Sequence, residues 1–117
     1  MYYRYSYDDD AIKKNVFGVN ITGYHLPLTG MDIAYEETSA GRNEEFFDDI
    51  SPHVWFISEG EGVFVIDDER IDVKTKDVVV VPPNKRIYYY GNLKMLLITA
   101  LCYKPENEHN VRNIDLL

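Results

Sequence analysis

The chain has 117 residues, of which 45% are apolar, and carries a formal charge of −8 with a pI of about 4.7. Its Lys and Arg are scattered, so no basic patch invites nucleic acid or an anionic membrane, and no run of about 18 apolar residues could span a bilayer. One cysteine, Cys102, excludes an internal disulfide framework and predicts a reducing, cytoplasmic setting.

Residues 1–10 are tyrosine-rich and acidic, without the basic start and apolar stretch of a signal peptide. Tyr2, Tyr3, Tyr5 and Tyr7 alternate partly at period two and would expose an aromatic edge. Two short helices are predicted, over 8–16 and from 105 onward. The remainder reads as strands separated by turn signals. Residues 17–26 form one extended run carrying Ile21, Tyr24 and His25, and 31–36 form a second strand ended by Gly41. Residues 44–50 are extended up to a bend at Ser51 and Pro52. The apolar run 54–57 leads to Gly60 and Gly62, which mark a tight turn or bulge. Strands follow over 63–66, 71–73, 78–81, 87–90 and 95–101, with the acidic turn 67–69 and the stop Pro82–Pro83 between them. About eight short strands predict an all-β sandwich or barrel, in one domain spanning 1–117 with its core over 17–103 and an arm over 1–16. No repeat or linker interrupts it.

The order of glycines, prolines and strands resembles the cupin superfamily. Gly41 opens and Gly60 closes the spacing of the first cupin motif, whose two His places fall on Phe47 and Asp49 and whose Glu place falls on His53. In the second motif Lys76 stands in the first Gly place, Pro82 and Asn84 in the Pro-x-Gly, Ile87 in the His place and Gly91 in the Asn place. The segment 55–62 is similar to the family's aromatic, Glu-Gly-Glu-Gly hairpin, and 102–109 to its Pro-Glu ending. The likeness covers roughly residues 31 to 109. It implies a cupin-type double-stranded β-helix, or jelly-roll barrel, with little helix. It also implies a homodimer, because small cupins often add N-terminal strands to a partner's sheet.

The resemblance breaks down at the ligand positions. Cupin metals are held by imidazole and carboxylate groups inside the barrel, and Phe47 and Ile87 have no lone pair to offer. Asp49 and His53 alone rarely suffice for a divalent ion. The expectation is therefore a barrel with no metal and no cofactor that binds a small molecule, with carbohydrate among the candidates. Asp49 and His53 lie four residues apart. A straight strand would separate them by about 13 Å, and the bend at Pro52 is what could bring them together. A carboxylate beside an imidazole favours the charged ring and makes a proton-transfer group near neutral pH. The resemblance thus allows a metal-independent sugar isomerase or epimerase with His53 as base and Asp49 as its orienting partner. The residues favour a hydrogen-bonded polar pair without catalysis over that chemistry, because buried polar groups need partners in any case. A metal-dependent enzyme with an unusual ligand set is a third reading.

Alternation aims Trp55 inward with His53 and Tyr89 inward with Ile87. Phe47, Trp55, Ile87 and Tyr89 then line either a ligand pocket or a filled core. Arg42 beside Gly41 stands where a barrel rim could meet an anionic ligand group. His25 reads as a surface or satisfied core histidine, His109 as solvated, and Cys102 as a buried small hydrophobe.

Overall fold

A computed structural model describes residues 3–101 and 103–116. Cys102 and Tyr2 lie outside the described residues. The order of elements is α1 (Tyr7–Asp10), β1 (Ile12–Val16), β2 (Val19–Gly23), β3 (Met31–Thr38), β4 (Gly41–Asp48), β5 (His53–Ile66), β6 (Glu69–Lys74), β7 (Val78–Val81), β8 (Ile87–Ala100), a 3-10 turn (Pro105–Asn107) and β9 (Glu108–Asn113).

Three sequence expectations change at the ends. The helix expected over 8–16 is only the single turn α1, whose Ser6 hydroxyl accepts from the Asp9 amide at 3.1 Å. Past it, residues 12–16 pair as β1. The run 17–26 is not one strand. Phe17 and Gly18 both take positive φ, 49° and 89°, and turn the chain into a β1–β2 hairpin. Two successive left-handed residues are what a two-residue hairpin turn requires. Beyond Pro105 the chain makes one 3-10 turn and then a strand, β9, which pairs antiparallel with β4. Near the start, Tyr5 meets Tyr24 edge-on at 6.2 Å, Lys13 lies 4.0 Å above the Tyr7 ring, and Tyr3 is exposed.

The long strands β5 and β8 pair along their whole length and hold the architecture together. The C-terminal half of β8 continues into β3, β2 and β1, and the N-terminal half of β5 into β7. The other halves continue into β4 and β9 on one side and β6 on the other. Every pairing is antiparallel, and the two faces curl around one interior. The crossing from one face to the other is where the glycines sit. Gly62 pairs with Gly91, and a Cβ on Gly62 would stand 2.3 Å from the Tyr90 carbonyl oxygen. Only a missing side chain lets the two backbones approach so closely.

One end of the barrel is filled. Phe46, Trp55, Ile57, Phe64, Ile87, Tyr89, Leu93 and Met95 form its core. Phe64 stacks on Tyr89 at 4.9 Å and meets Trp55 edge-on at 5.2 Å. Such aromatic pairs add about 0.5–1.5 kcal/mol beyond their buried area.

Candidate functional site

The open end is built from three rows of inward side chains, each read across the strands from their pairing. One row runs Lys14, Ile21, Glu36, Met95, Ile57. The next runs Ile12, Gly23, Ala34, Leu97, Trp55, Val79. The third runs Asp32, Thr99, His53, Val81. Gly23 and Ala34 lie side by side in the middle row. Where two neighbouring strands carry almost no side chain, the interior stays unfilled. The result is a cavity of about 380 Å³, above the lower end of about 300 Å³ for ligand sites. Arg42, Phe46, Glu108 and Tyr103 close its other wall, and Tyr24, His25 and Leu26 lie along it.

Glu36 lines this cavity from its deep side and is 1% exposed. Its Oε1 accepts from Trp55 Nε1 at 2.8 Å and from the Tyr89 hydroxyl at 3.2 Å. Burial pushes the Glu36 carboxyl above the usual carboxylate range, although the Trp55 hydrogen bond, the Arg42 charge and the Tyr89 hydrogen bond all favour its anion. Burial also holds the Tyr89 phenol well above its ordinary value, reinforced by the Glu36 charge.

Arg42 is clasped rather than free. Its Nη2 donates to Glu108 at 2.7 Å, its Nε donates to Glu44 at 3.1 Å, and a second contact reaches Glu44 from Nη2. The guanidinium also stands 3.7 Å from the Phe46 ring centroid. Burial works against this charge, but Glu108 and the hydrogen bonds to Glu44 and Glu108 outweigh it and raise the Arg42 pKa. At the mouth, Tyr103 receives Lys14 5.5 Å above its ring, and its amide donates to Asp32 at 2.6 Å. Burial, with Glu108 next, pushes its phenol up to about 12.

His53 is buried on the cavity wall, and its Nε2 lies 3.2 Å from Asp48 Oδ2. Nδ1 of the same ring is buried without a hydrogen-bond partner. Asp48 also fixes the bend after β4, because its Oδ1 accepts from the amides of Ile50 at 2.9 Å and Ser51 at 2.7 Å.

The sequence-derived residues therefore divide. His53, Trp55 and Arg42 line the cavity, and Tyr89 is bonded to Glu36 beneath it. Ile87, 2% exposed, belongs to the core and not to the cavity lining. Phe47 and Asp49 stand elsewhere. Phe47 stacks on His109 at 4.9 Å, and Asp49 bonds His109 at 3.0 Å in an exposed pair. The expected Asp49–His53 contact is corrected to Asp48–His53. The reason is parity, since β4 turns Arg42, Phe46 and Asp48 inward and so turns Phe47 outward. His109 correspondingly sits on β9 rather than in a solvated tail. His25, read as surface or core, borders the cavity.

Glu36, Asp48, Glu108, Lys14, Asp32 and Tyr103 escaped sequence reasoning. For Glu36 a signal existed. In β3 the small and polar residues Asp32, Ala34 and Glu36 lie in the inward rows and alternate with Ile33 and Tyr35, although Ile33 also borders the cavity. That inverted alternation marks a strand that leaves the interior unfilled. As for a metal, no group of three or more His, Cys, Asp or Glu suited to hold one occurs among the described residues. His53 faces Asp48, and Glu36 is tied to Trp55 and Tyr89.

No family model matches the chain, and no curated protein matches it. Solved structures do. The chain is similar to Pac13, described as a unique nucleoside dehydratase, at 28% identity over 98% of this chain and 95% of that one, with a TM-score of 0.94. Variants of Streptomyces Pac13 have been solved with uridine. Oxalate decarboxylase from Bacillus subtilis aligns at 14% identity over 92% of this chain and 31% of that one, with a TM-score of 0.78. A protein from Planctomyces limnophilus aligns at 11% identity over 92% and 96%, with a TM-score of 0.80. The last two speak for the fold alone. Together with the strand pairing, these likenesses identify the fold as an all-β barrel of the cupin type.

Proposed function

We propose that the open end of the barrel binds a neutral, nucleoside-type small molecule and offers it buried acid–base groups. The observation that carries this reading is the hollow beside Gly23 and Ala34, onto which Glu36, Trp55 and His53 all face. Its volume suits a base and a sugar. Trp55 and Phe46 give it aromatic walls, and Glu36, His53 and Thr99 give it polar contacts. Likeness to a nucleoside dehydratase solved with uridine supports the ligand class.

Charge supports a nucleoside over a nucleotide. Asp32 and Glu108 line the cavity, and Arg42 is already engaged by Glu44 and Glu108. A phosphate would meet these carboxylates with only Lys14 in compensation. Titration calorimetry of the full chain with uridine, ribose and uridine monophosphate tests the reading. Saturable uridine binding, with weaker binding of the other two, is expected. No heat with uridine, cytidine, thymidine or adenosine at about millimolar concentration, the weak end of useful affinity, would refute it.

The sugar isomerase or epimerase reading keeps His53 but takes Asp48 in place of Asp49 as its partner. It is favoured by the buried Asp48–His53 pair with Nδ1 free. Turnover of a sugar without uridine binding would select it. A homodimer is also proposed, and the outward face of the sheet favours it. There Val80, Val54, Ile98 and Ile33 form one apolar row, and Val78, Phe56, Leu96 and Tyr35 a second. Light scattering on the full chain reads its mass directly.

A further inference from the structure

We propose that Glu36 is the proton-transferring residue of this cavity, held by Trp55 and Tyr89 through one carboxyl oxygen so that the other is the atom a bound ligand meets. The inference rests on the nucleoside-site reading and names the group that acts within that site.

The geometry divides the carboxyl into two unlike oxygens. Oε1 receives both core donors, Trp55 Nε1 and the Tyr89 hydroxyl. Two hydrogen bonds arriving from the core side occupy that oxygen as an acceptor. A proton on the group therefore belongs on Oε2, in a residue that lines the cavity. When Glu36 acts as an acid, the O–H bond at Oε2 breaks. The ligand atom gains the proton, and the carboxylate keeps the bonding pair. The reverse transfer restores the acid.

Both states are supported. Burial raises the Glu36 pKa and so works toward the neutral acid. The anion, once formed, keeps the Trp55 and Tyr89 hydrogen bonds and faces the positive Arg42 of β4. The groups that act on the Glu36 charge are Arg42 of β4, Tyr89 of β8 and His53 of β5, with Lys14 two strands away in the same row on β1, and Asp32, His25, Tyr103 and Glu108 line the same cavity. Burial holds the Tyr89 phenol well above its ordinary value and the Arg42 pKa is raised, and a His53→Gln variant separates the Glu36 signal from the neighbouring imidazole.

The single tryptophan makes the test direct, because Trp55 donates to Glu36 while its ring lies 5.3 Å from His53. Trp55 fluorescence would be followed from about pH 4 to 8, across the ordinary Glu and His ranges, in the wild type, Glu36→Gln and His53→Gln. Calorimetry with uridine in two buffers of different ionisation enthalpy would read protons exchanged on binding. Gln keeps an Oε1 acceptor for both donors, and circular dichroism would confirm that Glu36→Gln is folded.

The expected result is a fluorescence inflection above the ordinary Glu range that persists in His53→Gln and is lost in Glu36→Gln. Uridine affinity should change about fivefold or more across that inflection in the wild type, and less than about twofold in Glu36→Gln. An inflection that survives Glu36→Gln and vanishes in His53→Gln would overturn the proposal. So would uridine binding whose proton exchange is unaltered in Glu36→Gln. If uridine gives no heat with the wild type, the nucleoside reading fails, and the claim that Glu36 serves that ligand falls with it.

Discussion

The hollow itself makes the sharpest prediction. Ala34 sits between Gly23 and Leu97 in the middle inward row, and its Cβ points into the cavity. Ala34→Leu adds three carbons there, roughly 75 Å³, or two to three water volumes at about 30 Å³ each. That is about a fifth of the 380 Å³ available. A site that closes on a ligand has little tolerance for such a block, so uridine affinity should fall by about 100-fold or more, equivalent to about 2.7 kcal/mol. Stability should move the other way. Three methylene-sized groups gain at most about 2.4 kcal/mol if fully buried, at about 0.8 each. The mouth is partly open, so about 0–1.5 kcal/mol is expected, a rise of up to several degrees in Tm. Calorimetric melting and uridine titration on the same preparation read both quantities. Undiminished binding would show that the ligand sits elsewhere. A loss of more than about 2 kcal/mol in stability would show instead that the space beside Ala34 is not open, since overpacking costs that much.

Three further substitutions probe the surrounding groups. Asp48→Ala leaves His53 and the amides of Ile50 and Ser51 without their acceptor and should cost about 2–4 kcal/mol by urea denaturation, whereas Asp49→Ala, which breaks an exposed pair, should stay within about 0.5 kcal/mol. Equal effects would contradict the inward parity assigned to Asp48. Arg42→Ala strands Glu44 and Glu108 and should cost about 3–5 kcal/mol by urea denaturation, and a loss below about 1 kcal/mol would show that the clasp is not buried. For Glu36 the sign follows from its raised pKa. Wild-type stability falls as pH climbs from the unfolded Glu value through the higher folded one, because the folded state resists ionising a buried group. Glu36→Gln has no such term, so in melting at a series of pH values the difference in stability, variant minus wild type, should rise with pH, and a difference that falls would show that the fold does not raise the Glu36 pKa.

The barrel was legible in the chain because its constraints are local. Gly60, Gly62 and Gly91 mark the crossing between faces, Pro82 ends a strand, and the apolar runs of β5, β7 and β8 supply the core. The ends were less legible because their signals are weak. Ser6 caps a helix that lasts one turn, and the hairpin at Phe17 needs a left-handed non-glycine residue, which sequence preference disfavours. His53 could be placed from the motif spacing, Trp55 from alternation with it, and Arg42 from its position beside Gly41. Asp49 could not, because motif spacing fixes a residue's place along the chain but not the face it occupies. A one-residue error in parity moves a side chain from the interior to the surface. Glu36 was missed for a different reason. It lies before the first motif, and its two partners, Trp55 and Tyr89, are 19 and 53 residues away along the chain.

The inverted pattern of β3 ties these observations together. A strand usually turns its apolar side to the interior, yet here Asp32, Ala34 and Glu36 occupy the inward rows in alternation with Ile33 and Tyr35. The inward face of β3 thus adds little hydrophobic stabilisation to the open end, and the filled end, with Trp55, Phe64 and Tyr89 in contact, supplies more of it. Trp55 belongs to both halves. Its ring packs in the core, and its indole N–H holds Glu36 at the cavity floor. A buried carboxyl is costly without partners, so Glu36 depends on the core's two polar handles, Trp55 and Tyr89. The closed end therefore does more than hold the barrel together: it fixes the orientation of the one acid that the cavity presents from below.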